Sequence, residues 1–292
     1  GAPRRPSVNT GSYGRGAMDP QGEPATVILA STTDLASQTL SSALVEGQGF
    51  TSTGVKLLGN PVYQSGSYLL ARFGGMIVTP PSLDEYFNPQ AYIFLSRHSA
   101  GSRIASLTAH TTGNFSDEAK FGGAGRELGK ADPGLLKNYL MALWGHREEV
   151  GGYEITMEAT HHGPTSLQKP VLFVELGSSE GQWGDAKAAR VVAEALMESL
   201  SQKRIWDKTA LGFGGTHYPE KFTRLLLEED MAMSYVAPKY ALEEIDDRMM
   251  GQMLQKTTSP VRYAVLDWKG LGPHKEKIVG LVKRFGLEEV RV

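Results

Sequence analysis

The chain of 292 residues is 40% hydrophobic and 21% charged, a globular balance with enough apolar material for one large domain or two modest ones. Cysteine is absent, which excludes disulfides, thiolate zinc sites and a cysteine nucleophile. No apolar run approaches the ~20 residues of a membrane helix, and a formal net charge of −2 leaves any nucleic-acid contact to a local basic patch.

Residues 1–23 are rich in Gly, Pro, Arg and Ser and lack both apolar periodicity and the apolar stretch of a signal peptide. They are expected to form a disordered tail, the part ahead of Met18 reading as appended sequence, with residues 24–292 forming a single α/β domain. That domain opens with a strand at 25–31, followed by a helix that Asp34 can cap and that sets Ala36, Leu40, Ala43 and Leu44 on one face. Strands are expected at 68–73 and 76–79, separated by Gly74-Gly75. Ala91–Ser96 is an apolar run of the kind a sheet buries on both faces, and it leads into Arg97-His98-Ser99. A strand at 104–109 leads into His110-Thr111-Thr112-Gly113-Asn114.

Residues 113–134 read as a long polar, Gly-rich loop, a length usual for a lid or binding loop, in which Arg126 and backbone amides can hold a phosphate. Pro133 starts an amphipathic helix, and His146 near its C-terminal end reads as a structural histidine suited to the helix dipole. A strand at 153–157 then ends in Glu158-Ala159-Thr160-His161-His162 and breaks at Gly163-Pro164. The strand at 171–178 carries Glu175, a charge that needs a partner in so apolar a run. Residues 185–204 form the clearest helix. A strand at 209–213 opens into Gly214-Gly215-Thr216-His217-Tyr218, with a helix behind it, then a strand at 233–237 and a helix over 242–255. A strand at 261–266, Asp267-Trp268-Lys269-Gly270, a helix at 275–285 and a short strand at 288–292 complete the chain.

The alternation argues for a three-layer α/β/α fold with helices on both faces of a mixed sheet. Five of the seven histidines, His98, His110, His161, His162 and His217, stand at or just past a strand end, and such positions converge on one rim of a largely parallel sheet. A cysteine-free His/Glu cluster suits zinc in a hydrolytic site with a position left for water. The rival is a metal-free hydrolase in which one histidine is the base and Asn114 positions water. No His-Glu-x-x-His helix and no Gly-x-Ser-x-Gly elbow is present.

The blocks Ser96-Arg97-His98-Ser99, Leu107–Asn114, Glu158–Pro164, Glu175-Leu176-Gly177-Ser178 and Gly214–Tyr218, with Asp267-Trp268-Lys269, resemble in order the zinc-dependent D-aminoacyl-tRNA deacylases of archaea and plants. The resemblance runs from about residue 25 to 292. It implies a phosphorylase/hydrolase-like, peptidyl-tRNA-hydrolase-like fold. It also implies cleavage of the ester between a D-amino acid and the terminal ribose of tRNA, a proofreading activity in the cytoplasm.

On this reading zinc is held among His98, His110, His161, Glu175 and His217, and Glu158, His162 and Lys269 carry the catalytic roles, Glu158 as general base. Arg97, Thr112, Gly113, Asn114, Gly214, Gly215, Tyr218 and Lys239 are the substrate-binding candidates. The partner is a tRNA acceptor end carrying a D-amino acid, with no membrane and no stable protein partner, the enzyme acting as a monomer. The alternatives are the metal-free, peptidyl-tRNA-hydrolase-like esterase and a non-catalytic module that binds tRNA ends, for which the histidine-adjacent segments offer few aromatics to stack on.

Overall fold

The computed structural model describes residues 23–202 and 204–292, so the expected tail lies outside the described residues except for Glu23. In chain order the elements are β1 (Thr26–Ser31), α1 (Leu35–Gly47), β2 (Thr51–Leu57), β3 (Asn60–Ser65), β4 (Tyr68–Phe73), β5 (Ala91–Arg97), β6 (Ser106–His110) and β7 (Gly113–Asn114). Then follow β8 (Glu127–Leu128), α2 (Pro133–Gly145), β9 (Glu154–Met157), β10 (Val171–Gly177), α3 (Glu180–Trp183), α4 (Ala186–Ser201) and β11 (Thr209–Phe213). The last are α5 (Glu220–Glu228), β12 (Ala232–Ala237), α6 (Asp247–Gln255), β13 (Tyr263–Leu266), α7 (Lys275–Arg284) and β14 (Glu288–Arg291). The caps follow the sequence: Asp34, Asp132 and Asp185 each accept from amides of the first helical turn.

A mixed α/β architecture with helices flanking a large mixed sheet is what the alternation predicts. The strands divide into an eight-stranded sheet of order β2-β3-β4-β1-β5-β10-β6-β9 and a four-stranded parallel sheet of order β12-β11-β13-β14. Along the middle strands of the large sheet the faces alternate. Ile28, Ile93, Leu95, Leu172 and Val174 pack in the core formed with α1, α2 and α4. Val27, Leu29, Tyr92, Phe94 and Phe173 face the other side, beneath Ile77, Leu83 and Phe87. The small sheet buries Leu211, Phe213 and Leu266 against α6 and α7, and Ala210 and Met233 on the side of α2 and α5.

Four local expectations change. β2 and β3, two strands the periodicity did not suggest, extend the sheet beyond β4, with most side chains at its edge only partly buried. Residues 76–79 are a turn rather than a strand, because β4 is already flanked by β1 and β3 and no edge is left for them. The helix expected over 242–255 is a 3₁₀ turn at Lys239–Glu244 followed by α6, which Asp246 starts by accepting from the Met249 amide at 2.8 Å. The long loop contains the paired β7 and β8, and Arg126 is committed to Glu244 at 3.2 Å and Asp246 at 2.5 Å instead of to a phosphate.

The two sheets meet at the stretch after β9. Glu158 N donates to Ala109 O at 2.9 Å in the large sheet, while Ala159 N and Thr160 N donate to His217 O at 2.8 Å and Val236 O at 3.0 Å on the side of the small one. Backbone spent in both directions fixes this segment rigidly, and it is the segment that carries the carboxylate and the paired histidines.

Candidate active site

The face of the large sheet that carries Phe94 and Phe173 continues two residues further along β10 as Glu175, since alternate residues share a face. Opposite Glu175 in the antiparallel register lies Thr108, and opposite Phe173 lies His110. β6 and β9 run against β10, so the expectation of one shared rim gives way to a different geometry. The histidines gather over the face of the sheet at the seam, reached from both directions along the strands.

Glu158 is the hub. Its side chain is 1% exposed. Oε1 accepts from Thr108 Oγ1 at 2.5 Å and lies 3.1 Å from His98 Nδ1; Oε2 accepts from His217 Nε2 at 2.8 Å and lies 3.7 Å from His161 Nε2. Burial alone would raise its pKa, but the bonds from His217 and His98 and the neighbouring imidazoles outweigh it and hold the carboxyl well below its usual range. Glu175 has its partner as well: Oε2 is 3.3 Å from His98 Nδ1 and Oε1 is 3.5 Å from His110 Nε2. His98 thus sits between two buried carboxylates. Burial opposes its charge, the two carboxylates overcome that, and its pKa is pushed up to about 10. Only glycine fits at 177, because a Cβ there would lie 2.4 Å from the His98 carbonyl oxygen.

His110, His161 and His162 form a second group. Each donates Nδ1–H to a backbone carbonyl, to Thr111 O at 3.1 Å, Ala159 O at 2.8 Å and Gly163 O at 2.6 Å. That bond fixes the tautomer and leaves every Nε2 as the free position. Ligand nitrogens of the three lie within 4.8 Å of one another, and His110 Nε2 is buried without a hydrogen-bond partner. An orphaned buried nitrogen facing two more imidazoles fits a divalent metal, for which neutral nitrogens tied back through Nδ1 are the usual donors. His161 is held well below the ordinary imidazole range by burial and by His110 and His162, and burial with the neighbouring His110 pushes His162 down to about 4. His162 adopts φ 41°, a left-handed conformation that costs a β-carbon residue about 1 kcal/mol or more. Its ring lies 4.7 Å from those of both His110 and Phe173.

A family profile for D-aminoacyl-tRNA deacylase matches residues 85–290, a span containing every residue of both groups. The D-aminoacyl-tRNA deacylase of Cenarchaeum symbiosum is 44% identical over 199 residues, covering 68% of this chain and 76% of that protein. The chain belongs to the D-aminoacyl-tRNA deacylase family. The deacylase of Pyrococcus furiosus is 35% identical over 272 residues, or 91% of this chain and 99% of that one. The fold is that of a crystal structure described as the conserved protein of unknown function AF0625, with a TM-score of 0.84 at 29% identity, over 91% of this chain and 94% of that chain.

Within this family member, the remaining candidate residues fall into two sets. Thr112 donates Oγ1–H to Pro164 O at 2.7 Å, Gly113 N donates to His162 O at 2.7 Å, and Asn114 Nδ2 donates to Gly122 O at 2.9 Å and Ala124 O at 3.1 Å. All three are buried and brace the histidine loop instead of offering these groups to a ligand. The same packing requires Gly163, where a Cβ would lie 2.3 Å from Gly123 N. Gly214 N donates to Ala237 O at 2.9 Å and Gly215 O accepts from Lys239 N at 2.9 Å, which shapes the turn before His217.

Tyr218 and His98 meet through the hydroxyl and Nε2 at 3.0 Å, so Tyr218 does reach the cluster. Arg97 is exposed, 3.9 Å from Asp34 and over the Trp183 ring. Lys239 and Lys269 are both exposed, Lys269 on the turn whose Gly270 packs against Gly215. His146 lies apart, at the end of α2, paired with Glu149 at 2.7 Å and Glu198 at 3.2 Å, as a structural histidine should be.

Sequence reasoning missed Thr108 and Tyr240. Thr108 was legible in principle, since it precedes His110 by two residues on a strand and must share its face. Tyr240 reaches His217 Nδ1 at 2.8 Å from 23 residues away, a contact no local pattern announces.

Proposed function

We propose that this chain hydrolyses the ester of D-aminoacyl-tRNA, releasing the D-amino acid and tRNA, as a zinc-dependent enzyme acting in the cytoplasm as a monomer. The observation that carries the metal assignment is the set of three imidazoles, His110, His161 and His162, each tied through Nδ1 to a backbone oxygen with Nε2 left over. These three would hold the ion, His162 moving into the metal set from the catalytic role expected of it. Zinc in such a site supplies a Lewis acid that polarises an ester carbonyl and lowers the pKa of water.

Glu158 is the proton acceptor. A carboxylate has about four acceptor sites. Thr108, His98 and His217 occupy three of them, and the remaining capacity of Oε2 lies toward His161 Nε2. It is ionised at neutral pH, so its open acceptor site can take a hydrogen of an attacking water. His217 and His98 hold that carboxylate in place, and the imidazolium of His98 offsets part of the two buried negative charges, which would otherwise be costly.

The substrate grip is assigned to exposed groups around the cluster, Arg97, Tyr218, Lys239 and Lys269, while Thr112, Gly113, Asn114, Gly214 and Gly215 shape the loops. Phosphate contacts from a few lysines and arginines suffice for an acceptor end despite the near-neutral chain. No helix among the described residues is long and apolar enough to cross a membrane. The family membership favours catalysis over a silent binding module. The test is hydrolysis of one tRNA charged with the D or the L form of the same amino acid. Rapid loss of the D ester with the L ester spared is the expected result; equal rates, or none, would overturn the assignment.

A further inference from the structure

The imidazole faces inside the cluster are already largely taken, and Tyr218 is less open than the rim, at 37% exposed. The His161 ring lies 4.1 Å from that of His110, 4.4 Å from His162 and 4.5 Å from His217, and His110 stacks on Phe173 at 5.3 Å. Tyr218 meets His98 and His217 edge-on at 5.5 and 5.0 Å and has its hydroxyl on His98. A planar group attached to a substrate held at this cluster must find its stacking surface on the rim.

Tyr240 offers one. It is 63% exposed, yet its hydroxyl is bonded to His217 Nδ1 at 2.8 Å. The two facts describe different ends of one side chain: the phenol oxygen is tied to the cluster and most of the side chain stands in solvent. The turn beneath it is fixed on both sides, because Lys239 N donates to Gly215 O at 2.9 Å, Ala241 N donates to Pro238 O at 2.8 Å, and Ala241 and Leu242 are buried. The ring is therefore pre-oriented before any ligand arrives, which lowers the ordering cost of binding. Lys239 is exposed on the same turn. Phe121, the other strongly exposed aromatic beside the histidine loop, is 69% exposed and has no hydroxyl to fix it.

We propose that Tyr240 is the stacking platform for the adenine of the tRNA terminal adenosine, the nucleoside whose ribose carries the ester. The proposal rests on the reading of the cluster as a D-aminoacyl-tRNA hydrolase. Stacking on an aromatic face tolerates any base, and a hydroxyl anchored to His217 sets the distance between base and ester.

The test compares Tyr240→Phe, which keeps the face and loses the hydroxyl, with Tyr240→Leu, which keeps apolar bulk without a face. Both are assayed on D-aminoacyl-tRNA and on the D-aminoacyl ester of free adenosine. Tyr240→Leu should raise KM about tenfold or more on both substrates, while Tyr240→Phe, which keeps the face and loses only its anchor, should raise KM by no more than about threefold. Any kcat loss from the broken bond to His217 should be common to the two. Equal KM changes in Phe and Leu variants would mean that only the hydroxyl matters and would overturn the stacking role, as would an unchanged KM in Tyr240→Leu or the same KM effect arising from Phe121→Leu instead. The Kd for deacylated tRNA must show the same split between variants, a reading independent of turnover. Failure of the wild-type enzyme to cleave either ester would count against the hydrolase reading, and the Kd comparison would still decide Tyr240.

Discussion

Thr108 and Glu158 are joined by a 2.5 Å hydrogen bond in which the hydroxyl donates to a carboxylate oxygen that water does not reach. Thr108→Val removes that donor while keeping the shape of the side chain. Because the bond is to a charged, buried acceptor, about 1.5–3 kcal/mol of stability should be lost. A melting temperature unchanged from wild type would mean that the hydroxyl contributes nothing to holding Glu158.

Glu158→Gln separates chemistry from binding. The amide keeps the volume but cannot take a proton, so kcat should fall about 10²- to 10⁴-fold with KM nearly unchanged. Bound zinc should stay stoichiometric, since the metal is assigned to the three histidines. Loss of zinc in this variant would make Glu158 a ligand, and a normal rate would remove it from the chemistry.

Much of this site was readable in the sequence because its chemistry is written in residue types at strand ends. His98, His110, His161, His162 and His217 were gathered from that pattern, and Glu175 from the cost of a charge in an apolar run. The paired roles were not readable. Whether an imidazole offers Nε2 or spends it depends on a carbonyl that only the folded loop supplies, as Gly163 O does for His162. The seam between the sheets was also hidden, because hydrogen bonds from Ala159 and Thr160 to His217 and Val236 carry no sequence signal. Strand β2 escaped because its side chains are mostly exposed or half-buried, which leaves too little alternation to detect.

His146 provides the control. Its pairing with Glu149 raises its pKa in the folded state against the burial penalty, with a further contribution from Glu198. A raised folded pKa contributes stability that is fully present below about pH 6.5, the unfolded value, and disappears as pH rises through the folded value. His146→Ala should therefore lower the melting temperature most at about pH 6, with the difference closing in alkaline buffer, and leave kcat/KM within a few fold. A difference that grows with pH would contradict the pairing.

His162→Ala takes one nitrogen from the proposed metal set and should lose both zinc and activity, the latter by on the order of 10²-fold or more. His98→Gln should leave metal content intact while weakening the hold on the two carboxylates. If instead His98→Gln released the ion and His162→Ala retained it, the two histidine groups would have to exchange roles.

The most direct measurement is the metal dependence of turnover: zinc content and the single-turnover rate on D-aminoacyl-tRNA, before chelation, after it, and after zinc is returned. Stoichiometric zinc, a rate that vanishes with the metal and a rate restored by adding it back is the expected result. Full activity in the chelated, zinc-free protein would contradict the account and leave a metal-free, histidine-based esterase in its place.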